Sequence, residues 1–442
     1  MRLTVQLWTA TAALATATAA MLIAAKTVDT PSPSLAVHEW GTFTSVAGAD
    51  GSAIQWNVLG GKDDLPGFVN SGGYRCFKFR LAGTIRMETP VLYFYSKTNL
   101  AAHVNVQFPH GVITEWYPKG ETTIYQSKNF MDKMPGPYGN RIYSDDAVSP
   151  TKSLIDPQPV GLDLLLVKLR PSMNGLDTSL RNLMSTISWA NIKIEPASTP
   201  ALPKGDQPSR YYAARAADAS PLSVGDQHEG FLFYRGVGRM QPPLSARISS
   251  DGKIVIANTG SDPVPMAMLF ENQSGRLGYS AAYTVRDSIT LDRPSLTGSQ
   301  TDLANQLEKA LEAHGLFPKE AKAMVATWQD SWFEEGARLI YIVPSRAVDA
   351  FLPLHVDPAP TQTTRVFVGR IELITPEIKH TVEESMRNEE SMRNNDVSVA
   401  ARYGRFLEPV LDRILDDNPV AAREVNRFRD KAFAAAASGT CR

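Results

Sequence analysis

Two dipeptides in this sequence set an imidazole beside a carboxylate, His38-Glu39 and His228-Glu229. Histidine titrates near neutral pH and a neighbouring carboxylate can orient it, so these pairs are the first candidates for acid–base chemistry. With His103 or His110 they could also hold zinc or copper, which needs three or four convergent nitrogen or oxygen donors. The spacing does not help a metal: none of the seven histidines stands in HxH or HxxxH. On an extended strand, neighbours point to opposite faces. At most one residue of each pair therefore enters a common pocket, unless a bulge intervenes. Glu115 is a further carboxylate on a strand-like run.

Other chemistry is thinner. There is no GxSxG elbow, no HExxH, no GxxxxGK[ST] and no GxGxxG after a strand, and no cofactor is called for. Gly236-x-Gly238 before Arg239 could turn backbone amides toward an anion or mark a bend in a strand. Trp40, Trp56, Trp116, Trp189, Trp328 and Trp332, with Tyr93, Tyr95 and Tyr117, could stack on a sugar or polymer or fill a core.

The elements that must position these residues change texture along the chain. Val91–Tyr95 is a continuous apolar run, as in a strand buried on both faces, and 103–108 alternates strictly. Pro109-His110-Gly111 reads as the turn of a hairpin returning through Val112–Tyr117. Asp251-Gly252 marks another hairpin. After residue 302 the period becomes helical, with Leu303, Leu307, Ala310 and Leu311 on one stripe and a stop at His314-Gly315. Pro318 opens a second helix. Strands are expected again at 339–343 and 365–374. The C-terminal stretch is helical, with a tandem hexapeptide (383–388 and 389–394), a cap at Asp396 and a kink at Pro409. The expected class is α+β. Mainly antiparallel, β-sandwich-like sheets span 37–284, a mixed segment follows at 285–375, and helices at 376–442 pack on the β region.

Residues 1–25 have the positive start, apolar run and small-residue sites of a signal peptide, with an uncleaved anchor as the alternative, and 26–36 read as a Pro/Ser linker. A periplasmic or secreted location is expected, where Cys76 and Cys441 could form a disulfide. Lys+Arg number 45 against 46 Asp+Glu, which removes the bulk electrostatic case for nucleic acid or a membrane surface beyond the signal segment.

The phrases Val37–Val46, Glu88–Tyr95, Phe231–Gly238, Asp330–Gly336 and Val368–Glu372 resemble a family of exported bacterial proteins with a HEWGTFT-type N-terminal motif and no assigned activity. The resemblance implies export and one integrated architecture, and it carries over no site residue. The functional expectation is an envelope or extracellular protein that binds a glycan, polymer or partner protein. The alternative is an exported hydrolase acting on a carbohydrate or ester.

Overall fold

The apolar runs near both ends of the chain meet in the middle of one sheet. The computed structural model describes residues 34–60, 64–72, 82–126, 158–160, 180, 183–387 and 398–434. The signal-peptide segment, most of the linker, both cysteines, the strand-like run at 162–169, the second hexapeptide copy and Asp396 lie outside these residues.

Ten strands carry the argument: β1 (Leu35–Val46), β2 (Ile85–Ser96), β3 (Leu100–Pro109), β4 (Gly111–Tyr117), β5 (Leu183–Ile194), β6 (Leu232–Gly238), β7 (Val264–Gln273), β8 (Arg276–Val285), β9 (Gly336–Ile342) and β10 (Gln362–Leu373). The central sheet has nine strands in the order β8-β7-β9-β10-β1-β2-β6-β4, closed by the short strand Asn70–Ser71. β1 lies between β10, to which it runs parallel, and β2, to which it runs antiparallel. Strands from the early β-rich stretch and from 285–375 therefore share one sheet. The fold is α+β, with several mostly antiparallel sheets and helices at the C-terminus.

One face of this sheet packs on a seven-stranded sheet, built around β5 and β3, and on a three-stranded sheet. Val37, Met87, Leu92 and Tyr341 meet Val106, Ile187, Trp189 and Ile254 there. The other face is covered by α1 (Gln300–Ala313), α2 (Pro318–Trp332) and the 3-10 helix Arg210–Ala216. Trp40, Tyr93, Phe233 and Val368 pack on that face against Leu307, Met324, Trp328 and Tyr211. The expected amphipathic stripe of α1 is the buried one, and Gly315 ends it at φ +107°. Pro318 opens α2. Helices α3 (Pro376–Arg387), α4 (Ser398–Tyr403), α5 (Leu407–Asp417) and α6 (Ala422–Ala434) close around their own core of Val382, Leu411, Ile414 and Val425.

Two local expectations are corrected. β3 and β4 do not form a hairpin. β3 pairs β5 in the seven-stranded sheet, while β4 pairs β6 in the central one, so the chain changes sheets at His110, whose φ is +58°. One residue is too short for a hairpin loop. The Phe108 ring also lies where a Cβ on Gly111 would stand. The C-terminal helix breaks earlier than Pro409: Gly404, at φ +51°, starts the 3-10 turn Gly404–Phe406, and Pro409 falls in the first turn of α5, where its missing N–H costs nothing. Among the described residues, no helix is long and apolar enough to cross a membrane.

Candidate functional site

β1 distributes its HEWGTFT residues between the two faces of the sheet by alternation. His38, Trp40, Thr42 and Thr44 face the helix layer. Glu39 and Phe43 face the opposite side, so His38 and Glu39 do not share a site. His38 is fully buried, and its side-chain partner is a carboxylate rather than backbone: Nδ1 lies 2.8 Å from Glu320 Oε2. Glu320 also accepts the Tyr95 hydroxyl at 2.8 Å and the Phe317 N–H at 2.7 Å, closing the first turn of α2. Burial, then the Glu320 charge, pushes the Tyr95 phenol far above its usual range. The His38 ring packs against Tyr95 and Phe317, and its Nε2 has no partner among the described residues.

The second pair separates in the same way. Glu229 is fully buried and is held by the Arg215 guanidinium (Nη2 to Oε2, 2.6 Å; Nε to Oε1, 3.0 Å) and by the Tyr211 hydroxyl at 3.1 Å. His228 stays half-buried beside it on the short strand Gln227–Glu229. On the far face, Glu39 accepts from the Tyr234 hydroxyl and from Arg365 Nε at 2.6 Å. His103 sits half-buried on β3 and His110 at the corner between sheets. Among the described residues, no group of three His, Cys, Asp or Glu could hold a metal ion. Trp40, Trp56, Trp189, Trp328, Trp332, Tyr93 and Tyr117 are buried, so these rings form core and not a wet platform. Gly236 marks a bend: the register between β6 and β4 shifts at Arg235/Gly236.

The densest polar constellation is one that the dipeptides did not point to. β2 carries a bulge. Trp40 pairs with Val91, but Thr42 pairs with Glu88, so Thr89 and Pro90 together oppose Gly41. Thr89 takes φ +50°, costly for a β-branched residue by about 1–3 kcal/mol. The bulge reverses the alternation. Arg86 and Glu88 face the helix layer before it, and Val91 and Tyr93 face the same layer after it.

A band of buried charge thus crosses the sheet on that face. Glu88 accepts Thr44 Oγ1 at 2.6 Å and a two-pronged contact from Arg405, at 2.8 and 2.9 Å. Arg86 Nε lies 3.5 Å from Glu88, and its Nη1 donates to the carbonyls of Val58 and Gly60. Arg235 donates to Asp64 at 2.9 Å. Toward β9, Glu372 accepts from Arg338 and Arg370 at 3.0 and 2.8 Å. Those two guanidiniums reach past Glu372 to the carbonyls of Ser331, Trp332, Glu334 and Glu335 at the end of α2. Glu115 lies on β4 in register with Arg235 and accepts the Thr114 hydroxyl.

Burial alone would push the carboxyls of Asp64, Glu88 and Glu372 up. The arginines outweigh it (Arg235 and Arg86 for Asp64, Arg405 and Arg86 for Glu88, Arg338 and Arg370 for Glu372), so all three are held below the usual carboxylate range. These groups do not exchange protons near neutral pH. What they do is anchor: Arg338 and Arg370 cap the negative end of α2, Glu320 caps its other end, and Arg405 ties the C-terminal helices to β2. The sequence signal was there. Glu88, Arg235 and Arg370 are charges inside runs otherwise patterned for burial, which fold only if paired.

Compared with known proteins, the chain matches no family model and no curated protein.

Proposed function

We propose that this chain is an exported envelope or extracellular protein that works by binding a partner protein and not by hydrolysis. The observation that carries the reading is where the chemistry-bearing residues go. Glu39 and Glu229 are each closed by an arginine and a tyrosine in the interior. A glycosidase needs two carboxyls converging on a cleft at about 5–5.5 or 6.5–9.5 Å, and these two do not serve one. Five of the six tryptophans that a glycan platform would use are core and the sixth, Trp116, is half-buried, which leaves a protein partner as the favoured class. The balanced charge gives no electrostatic case for nucleic acid. Export rests on the order of positive, apolar and small-residue regions at 1–25.

One feature favours the hydrolase reading. His38 is oriented through Nδ1 by Glu320 and leaves Nε2 unpartnered, as in a nucleophile-activating base. The test is a panel of chromogenic esters and glycosides with the purified protein and with His38→Ala. No turnover above the blank is expected from either. Turnover by the wild type that His38→Ala abolishes, at an unchanged fold by circular dichroism, overturns the binding reading.

A further inference from the structure

We propose that the outer edge of β8 is a docking strand for an extended polypeptide segment whose acidic residues flank an uncharged centre. This rests on the binding reading and names its surface and partner.

β8 is the last strand of the central sheet, bonded on one side to β7. Which of its backbone groups point outward follows from one hydrogen bond. The Leu277 carbonyl accepts from Gly298 N–H at 2.7 Å, a residue outside the neighbouring strand, so Leu277 faces away from β7. In an antiparallel pair the N–H and C=O of a residue point the same way and the direction alternates, so Tyr279, Ala281 and Tyr283 face outward too. The segment around Ser295 and Gly298 covers the edge at Leu277 and Gly278 and stops there. Among the described residues, no backbone or side-chain group bonds the N–H or C=O of Ala281 or Tyr283. Beyond that cover, Tyr279–Thr284 contains no charge, no proline and no register shift against β7, and its one backbone irregularity is Thr284 at φ +56°. Tyr283 stands 69% exposed beside it.

The charges choose the occupant. Arg276 and Arg286 are exposed at the two ends of this uncharged stretch, Arg286 being followed by the exposed Asp287, and no ion pair engages either arginine among the described residues. A second copy added antiparallel about Ala281 would bring each Arg276 to the partner's Arg286 end, which repels. A strand with carboxylates at both ends pairs instead. Backbone bonds supply affinity, and the end charges supply register and selectivity.

The probes are two synthetic peptides with the same alternating Val/Thr core, one with two Glu at each end and one with two Lys, titrated by fluorescence anisotropy. The Glu-flanked peptide should bind at least about tenfold more tightly, a difference of about 1.4 kcal/mol, and weaken with salt. Ala281→Pro should abolish binding without lowering the unfolding midpoint, because its lost N–H points away from β7. Tyr283→Lys, at an exposed position, should weaken it too. Arg276→Glu with Arg286→Glu should reverse the preference. Equal binding of the two peptides, no binding of either, or binding indifferent to Ala281→Pro and Tyr283→Lys overturns the proposal. A concentration-dependent dimer that Ala281→Pro dissolves gives the edge to a second copy and overturns it as well. Failure here leaves the binding reading standing, since only turnover in the hydrolysis panel sinks that.

Discussion

At the scale of single residues, the fold treats its charged side chains as fasteners. Glu320 binds His38, Tyr95 and the Phe317 amide at once, so Glu320→Gln leaves one buried donor short. An unsatisfied buried group costs about 1–3 kcal/mol, and guanidinium unfolding should show a loss of that size. Arg405→Ala strips Glu88 of a two-pronged partner inside the protein, where breaking a buried pair costs about 3–5 kcal/mol. Adding Glu88→Gln to Arg405→Ala should cost less than the sum of the two single changes, and a double-mutant cycle measures the coupling. His38 and Glu39 were legible as residues of consequence, and their assignment to opposite faces followed from strand alternation. Their partners were not legible. Glu320 and Arg365 lie 282 and 326 positions away, and no local pattern announces a contact at that separation.

Elements were read best where their period was long and regular. β2, β10, α1 and α2 followed from apolar runs, alternation or a helical stripe together with a Pro or Gly boundary. The β3–β4 hairpin failed because two alternating runs joined by a turn do not say which sheet each joins. The bulge at Thr89-Pro90 was also hidden, although it decides which way Glu88 and Arg86 face. Close packing of rings on glycines is another product of strand register. A Cβ on Gly369 would stand 2.0 Å from the Tyr341 ring, and one on Gly41 would stand 2.6 Å from Phe367. Gly369→Ala should therefore destabilise by about 1–3 kcal/mol through overpacking, read as a lower thermal midpoint. A neutral midpoint would mean that the Tyr341 ring moves aside freely.

Across the whole molecule, the band of charge links the sheet to α2 and to the C-terminal helices, and pH acts on those links. Asp64, Glu88 and Glu372 have folded pKa values below their unfolded ones. Their stabilisation is complete above about pH 4.5 and is lost as pH falls through the folded values. Burial raises the phenols of Tyr93, Tyr211, Tyr234 and Tyr341, so their contribution is complete below about pH 10 and is lost as pH climbs toward their folded values. The unfolding midpoint should form a plateau between these limits and fall on both sides, with α4 and α5 gaining hydrogen exchange first on the acid side because Arg405 is their tie to β2. The central claim is that the buried charges serve architecture and not chemistry, and the sign of one change tests it most directly. Glu88→Gln removes a charge while keeping shape, leaving Arg405 without the carboxylate that takes its two-pronged contact. A group kept for architecture must cost stability when neutralised, whereas a group kept for chemistry is commonly stabilising to remove. Thermal unfolding of Glu88→Gln at neutral pH should show a midpoint well below that of the wild type. An unchanged or higher midpoint would contradict the account.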